Sequence, residues 1–230
     1  MKVNKTKGKY DKTYFLERDH LQKHLVNIIE NIACENNSKS LLEVGVGSGK
    51  LMKKLKKDGF KIEGIDISPI AARMAGAKVG SATKIPFKDK SFDLVIAISI
   101  IEHITEKEGE LFIKEVNRVL TKNGIVFLVT PNFASPLRII FGKKWAGYAD
   151  KTHVYFYTPL SLKKLLKNNE FDNVRLFFRI TTPVLEWPLP AFFHKLPDRM
   201  KLAVNYLLAN TPIAFLVRDT FWISARKYGN

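Results

Sequence analysis

The segment Leu41-Leu42-Glu43-Val44-Gly45-Val46-Gly47-Ser48-Gly49-Lys50, followed by Gly64-Ile65-Asp66-Ile67-Ser68, limits the possible folds more than any other feature of this chain. An apolar strand runs into a glycine-rich turn and then a helix; a second apolar strand ends in an acid. Glycine allows a tight turn and lets backbone N–H groups approach a ligand closely. An acid at the tip of the next strand accepts hydrogen bonds from two ribose hydroxyls. Together the two segments predict a nucleoside-binding cleft in an α/β fold.

Spacing narrows the nucleoside. A dinucleotide loop needs G-x-G-x-x-G, but Lys50 holds the last glycine position counted from Gly45, and Met52 holds it counted from Gly47. A phosphate-binding P-loop needs Ser or Thr after Gly-Lys, where this chain has Leu51. A purely structural glycine turn in another α/β fold uses an equally short motif.

The pattern E-x-G-x-G-x-G resembles motif I of the class I S-adenosylmethionine (SAM)-dependent methyltransferases. Later segments extend the resemblance in order from about residue 40 to 180. Gly80–Val95 resembles the approach to the family's fourth strand, and Ser99-Ile100-Ile101-Glu102-His103-Ile104 its exit. Glu115–Gly124 resembles the helix and turn before strand five. His153-Val154-Tyr155-Phe156-Tyr157-Thr158-Pro159 resembles a segment of the small-molecule branch, near the quinone-biosynthesis methyltransferases. The resemblance implies a Rossmann-like, seven-stranded, mostly parallel sheet with helices on both faces, an antiparallel last strand, and lid and cap insertions.

The same resemblance implies a cofactor, S-adenosyl-L-methionine, and residues to hold it. Gly45, Gly47 and Gly49 approach its methionine portion, and Glu43 orients the loop or the amino group. Asp66 takes the ribose hydroxyls, with Ile67 beside it; a helix cap near Ser68 is the structural alternative for Asp66. Ser81 and Ala82 fall where the family grips adenine, commonly with an acid where Ser81 stands. Ser99 and Ile100 border the methionine end. His103 and His153 are the candidate catalytic bases, each with a structural, hydrogen-bonded histidine as its alternative. His20 and His24 have a metal-like spacing with Glu17, but nothing completes a site, so they read as a solvated helix face and no metal is expected.

Organisation follows from patterning. Residues 1–230 read as one domain, long enough for a full core at 46% hydrophobic residues. Residues 1–36 form a basic tail and a cofactor-covering helix, 133–158 a lid rich in aromatic residues, and 181–219 a cap insertion before a last strand at Thr220–Arg226. The lid and cap either close over a greasy acceptor, rest on a membrane interface, or simply pack on the core. Leu51, Met52 and Leu55 are expected inward with Lys53, Lys54, Lys56 and Lys57 in water. Leu111, Val116, Val119 and Leu120 form the stripe of a helix ended by Asn123-Gly124, and strand five follows at Ile125–Val129. Cys34, the single cysteine, excludes an internal disulfide, suits a reducing cytoplasm and is expected buried. The basic start lacks the apolar run of a signal peptide, and the stretch from Ala203 to Val217 is too broken to span a bilayer.

A net charge of +16 implies an acidic partner (nucleic acid, an anionic membrane surface or an anionic substrate) or only a highly charged surface. The N/D-P-P-Y/F motif of exocyclic-amine nucleobase methylation is replaced by Ser99-Ile100-Ile101-Glu102, and Cys34 is misplaced for C5 methylation. Three functions remain. The leading one is transfer of methyl to a small-molecule acceptor, lipid-like, quinone-like or anionic. The others are an RNA- or protein-directed methyltransferase and a binding protein that kept the fold without its chemistry.

Overall fold

Fully apolar strands with no polar face require cover on both sides, and the sheet provides it. Seven strands lie in the order β3-β2-β1-β4-β5-β7-β6. β1 (Ser40–Val44), β2 (Lys61–Asp66), β3 (Lys78–Val79), β4 (Phe92–Ile98) and β5 (Leu120–Pro131) run parallel, while β7 (Thr220–Lys227) is antiparallel to both β5 and β6 (Phe171–Phe177). This computed structural model describes residues 23–177, 196–197, 199–200 and 220–229. The expected basic tail, His20, the side chain of His24 and nearly all of the 181–219 cap lie outside the described residues.

Helices cover each face. On one side α1 (Lys23–Glu35) and α2 (Lys50–Lys57) place Val26, Ile29, Leu51, Met52 and Leu55 against Leu41, Leu94, Ile96 and Phe127. On the other, α4 (Glu106–Val119) and α7 (Pro159–Asn168) pack Phe112, Ile113, Val116, Leu162 and Leu166 on Leu42, Val95, Val126 and Ile223. α3 (Pro69–Ala75) starts with Ser68 as N-cap and proline in the first turn. α7 starts likewise, with Thr158 and Ser161 forming a capping box ahead of Pro159. The lysines of α2 face solvent as expected.

Three expectations are corrected. The α4 stripe runs through Phe112 and Ile113, and Leu111 is exposed. The helix ends at Val119 and Leu120 already belongs to β5, paired with Phe92, so Asn123-Gly124 lies inside an irregular strand rather than at a helix end. Asn123 takes the left-handed conformation there (φ 63°), which its side chain tolerates better than most. Cys34 is exposed, because α1 turns its neighbours Ile32 and Ala33 inward. Asp93 fastens the base of the sheet. Its Oδ2 accepts the backbone N–H groups of Lys39 and Ser40 (2.9 and 3.0 Å), and its Oδ1 accepts the Thr121 hydroxyl (2.9 Å).

Candidate active site

The carboxyl ends of β1, β2 and β4 meet at one edge of the sheet, where open α/β folds bind ligands. Leaving β1, the chain takes positive φ at Gly45 (81°), Gly47 (51°) and Gly49 (75°) before entering α2. The N–H groups of Gly45 and Val46 donate to the Ile65 carbonyl, which ties the turn to β2. Gly47 N–H donates to Asp66 Oδ2 (3.0 Å) and Ser68 N–H to Oδ1 (2.8 Å). The helix-cap alternative for Asp66 is thus present as a Ser68 contact, yet one carboxylate offers about four lone-pair positions and retains capacity for hydroxyl donors. Burial raises the Asp66 carboxyl above its ordinary range, opposed by those two N–H groups.

Glu43 lies below the loop, 5% exposed. It accepts the Met52 N–H at the start of α2, and its Oε2 is buried without a partner. Burial pushes this carboxyl up to about 8, Asp66 adding to the effect. These residues fit a SAM molecule. The orphaned oxygen of Glu43 suits an ammonium group, the Asp66 carboxylate suits a ribose, and Ile67, 52% exposed beside it, offers an apolar surface.

The structure brings Ile100 onto the glycine turn: a Cβ on Gly45 would stand 1.9 Å from Ile100 Cδ1. Ser99 is exposed with φ 54°, at the point where the chain leaves β4. Ser81 and Ala82 follow β3, one strand further out than Asp66, whose carbonyl accepts the Gly80 N–H (2.9 Å). The Ser81 hydroxyl is engaged within its own turn, 2.9 Å from the Thr83 hydroxyl and accepting the Thr83 N–H, and Ala82 packs against the core.

His103 and His153, fifty residues apart in sequence, come together with ring centroids 4.8 Å apart. A single-turn 3₁₀ helix, Ile101–His103, carries the first, and the lid carries the second. His153 Nδ1 is 2.6 Å from the Gly147 carbonyl oxygen, which can only accept, so Nδ1 holds the proton and Nε2 is the basic nitrogen. The Thr152 hydroxyl donates to Asp150 Oδ1 (2.6 Å) and therefore accepts from His103 Nδ1 (2.8 Å). Both rings share one tautomer, each fixed by a hydrogen bond.

Sequence reasoning missed Glu102, Thr130, Asp150 and Thr152 around this pair. Glu102 is 1% exposed, and the Thr130 hydroxyl donates to its Oε2 at 3.0 Å. The available signal was a lone acid inside the apolar run from Ile100 to Ile104, beside a candidate base. One nitrogen from each histidine and one Glu102 oxygen lie up to 4.8 Å apart.

Over this cluster the lid packs its rings on one another. Phe133 stacks on Phe156 (centroids 5.4 Å, planes 22° apart), Trp145 is buried, and Arg138 lies 4.5 Å over the Phe133 ring. Much of the lid's aromatic content is therefore packing. The short helix α5 (Leu137–Phe141) buries none of its residues, and Ile139 and Ile140 are exposed. Among the described residues no helix is long and apolar enough to cross a membrane.

Comparison with known proteins agrees with this geometry. A family model described as a methyltransferase domain matches residues 17–176. The ubiquinone biosynthesis O-methyltransferase of Pelagibacter ubique is 28% identical over 171 residues, covering 65% of this chain and 70% of that protein. The demethylmenaquinone methyltransferase of Chlorobaculum tepidum is 29% identical over 164 residues, covering 60% and 67%. The ajmaline N-methyltransferase of Rauvolfia serpentina is 32% identical over 128 residues, and this chain spans only 43% of its length. A SAM-dependent methyltransferase structure from Archaeoglobus fulgidus superposes with a TM-score of 0.69 at 18% identity, over 94% of this chain and all of that one. The chain therefore belongs to the methyltransferase domain family, on the class I fold whose cofactor is S-adenosylmethionine, with quinone-biosynthesis methyltransferases among its relatives.

Proposed function

We propose that this protein transfers a methyl group from SAM to an oxygen or carbon of a small-molecule acceptor that is lipid-like, quinone-like or anionic. The observation that carries the reading is the paired imidazoles, centroids 4.8 Å apart, beneath an aromatic lid and within a few residues of Ile100, which touches the glycine turn. An amine or thiolate needs little beyond positioning, whereas a hydroxyl or carbon acid needs a base, and two oriented imidazoles supply one. The quinone-biosynthesis names among the relatives favour the same acceptor class.

When bound, SAM supplies an electrophilic methyl group: the acceptor's electron pair forms the new bond as the carbon–sulfur bond breaks and its pair stays on sulfur. The chain's residues bind, orient and move the proton. Gly45, Gly47 and Gly49 seat the methionine portion, with Ser99 and Ile100 at its border and Glu43 beneath. Asp66 holds the ribose, each charge-assisted hydrogen bond contributing about 1.5–3 kcal/mol. Ile67, Ser81 and Ala82 flank the adenine. His153 or His103 takes the acceptor's proton. Alignment of donor and acceptor alone can supply roughly 7–11 kcal/mol of the barrier.

Calorimetric titration with SAM and S-adenosylhomocysteine, on wild type and Asp66→Ala, tests the cofactor site. Micromolar binding lost in Asp66→Ala supports it and justifies an acceptor screen beginning with apolar and anionic molecules. Absence of binding by folded wild type refutes it.

The charge of +16 favours a second reading, an RNA-directed enzyme. RNA affinity falling steeply with salt would support that reading. It also favours a cytoplasmic protein resting on an anionic membrane, with exposed Ile139 and Ile140 close in sequence to Lys143 and Lys144.

A further inference from the structure

Glu102 is the buried ionisable group that the reading above leaves without a task. Its carboxyl is fixed on one side only. Oε2 accepts from the Thr130 hydroxyl, the Ser99 hydroxyl also bonds the carboxyl, and Oε1 is buried with no hydrogen-bond partner. Its main-chain carbonyl accepts the N–H groups of Val154 (2.8 Å) and Tyr155 (3.2 Å), so the same residue anchors the lid to the turn after β4. A carboxyl taken out of water with one oxygen unpaired is costly unless a cation visits it.

The histidine pair stands beside it. The basic nitrogen of His153 stands 3.7 Å from Asp150 Oδ2, and the Glu102 carboxyl lies within 4.8 Å of ring nitrogens of both histidines. Resting on the methyltransferase reading, we propose that Glu102 is the positioning residue of this site: its carboxylate lies within 4.8 Å of both imidazoles and, with Asp150, stabilises by its charge the proton that His153 takes from the acceptor. In that step the acceptor's bond to hydrogen breaks, a bond from hydrogen to Nε2 forms, and the electron pair left on the acceptor atom attacks the methyl group. One positive charge disappears at the cofactor while one appears on the ring, so the net charge is unchanged and a fixed anion beside the ring stabilises the charge where it arrives.

Among the described residues, few titratable groups surround Glu102. His103, His153 and Asp150 face Glu102 from the turn and lid. Tyr157, whose hydroxyl is buried and unpartnered, is held above its ordinary value by burial and stays neutral. Tyr155 donates to Glu106 Oε1 (2.8 Å) at the start of α4. Burial holds Glu102 itself up at about 7, opposed by the Thr130 and Ser99 hydroxyls, so the carboxyl ionises within the range where an imidazole works.

The test follows ring nitrogen signals of ¹⁵N-histidine-labelled full-length protein by NMR through pH 5–9. The samples are wild type, the near-isosteric Glu102→Gln, the charge-keeping Glu102→Asp and Asp150→Asn, each with S-adenosylhomocysteine. His103→Gln and His153→Gln assign the signals. In wild type at high pH both rings are expected to carry hydrogen on Nδ1. In Glu102→Gln the His153 titration midpoint is expected to fall by about one pH unit, recovering in Glu102→Asp. A midpoint unmoved in Glu102→Gln overturns the proposal. So does a fall confined to Asp150→Asn, or ring signals that respond to added Mg²⁺ or Zn²⁺ only while Glu102 is intact. Calorimetry with SAM on the same samples is independent. Wild type that fails to bind SAM removes the methyltransferase reading and leaves the histidine titration to judge Glu102 alone.

Discussion

Gly45→Ala separates two things the glycine turn does, hold an unusual backbone and leave room for Ile100. At φ 81° an L-residue costs about 1–2 kcal/mol. The new methyl group would stand 1.9 Å from Ile100 Cδ1 and 2.6 Å from Cγ1, distances no real contact sustains. Those atoms end a flexible, half-buried side chain, so Ile100 rotates away at a cost of about 0.5–1.5 kcal/mol for a strained rotamer. Urea unfolding should therefore show a loss of about 1.5–3.5 kcal/mol, the sum of the two. The displaced side chain has the cofactor seat beside it, so SAM affinity should fall about ten- to a hundredfold by calorimetry, or about 1.4–2.8 kcal/mol. Adding Ile100→Ala removes the overlap and leaves the backbone strain. The double variant should recover most of the affinity and about 0.5–1.5 kcal/mol of coupling in a mutant cycle. If it binds no better than Gly45→Ala, Ile100 does not shape the seat and the reasoning fails.

Two further outcomes follow from charged side chains. Glu43 keeps its proton in the folded state up to about pH 8, whereas in the unfolded chain it releases it near the ordinary carboxyl value of 4.5. The unfolded state therefore binds fewer protons between those values, and stability contributed by this residue falls as pH rises from about 4.5 to 8. Glu43→Gln should match wild type in urea unfolding at pH 5 and exceed it at pH 8; equal stability at both values would contradict the burial argument. Arg118 reaches from α4 to the loop before β4, bonding Glu115, Asp89 (2.6 Å) and the carbonyls of Ile85 and Phe87 (both 2.9 Å). Lysine lacks the planar fork these partners need, so Arg118→Lys should cost about 1–2 kcal/mol and speed amide exchange in residues 83–90, while a change below about 0.3 kcal/mol would show the network to be ornamental.

What was legible in the sequence was what short range determines. The glycine turn and the acid ending β2 each depend on residues within a few positions, and both appear where patterning put them. The start of β5 was not legible. Asn123-Gly124 is a strong local turn signal, but pairing of Leu120 with Phe92 and the hold of Asp93 on Thr121 draw the chain into the sheet first. The α4 stripe was placed correctly at Val116 and Val119 and wrongly at Leu111, where the sheet takes the adjacent Phe112 instead. Glu102 was invisible for a related reason: its partners Thr130 and the lid come from β5 and beyond, and only the folded edge of the sheet gathers them.

The distribution of charge sharpens the chemistry. A chain with 38 basic and 22 acidic residues would be expected to line its cleft with cations if its reaction were governed by an anionic cofactor. Instead the buried carboxyls Glu43, Asp66 and Glu102 flank the ends of β1, β2 and β4, while the α2 lysines face solvent. Two of the three are held well above their ordinary values by burial, which means the cleft resists full ionisation and gains most from a ligand that brings positive charge. A sulfonium cofactor with an ammonium group is such a ligand, and a nucleotide carrying phosphates is not. The surface excess of positive charge and the acidic cleft therefore answer different questions: the first concerns what the protein meets in solution, the second what it holds while it reacts.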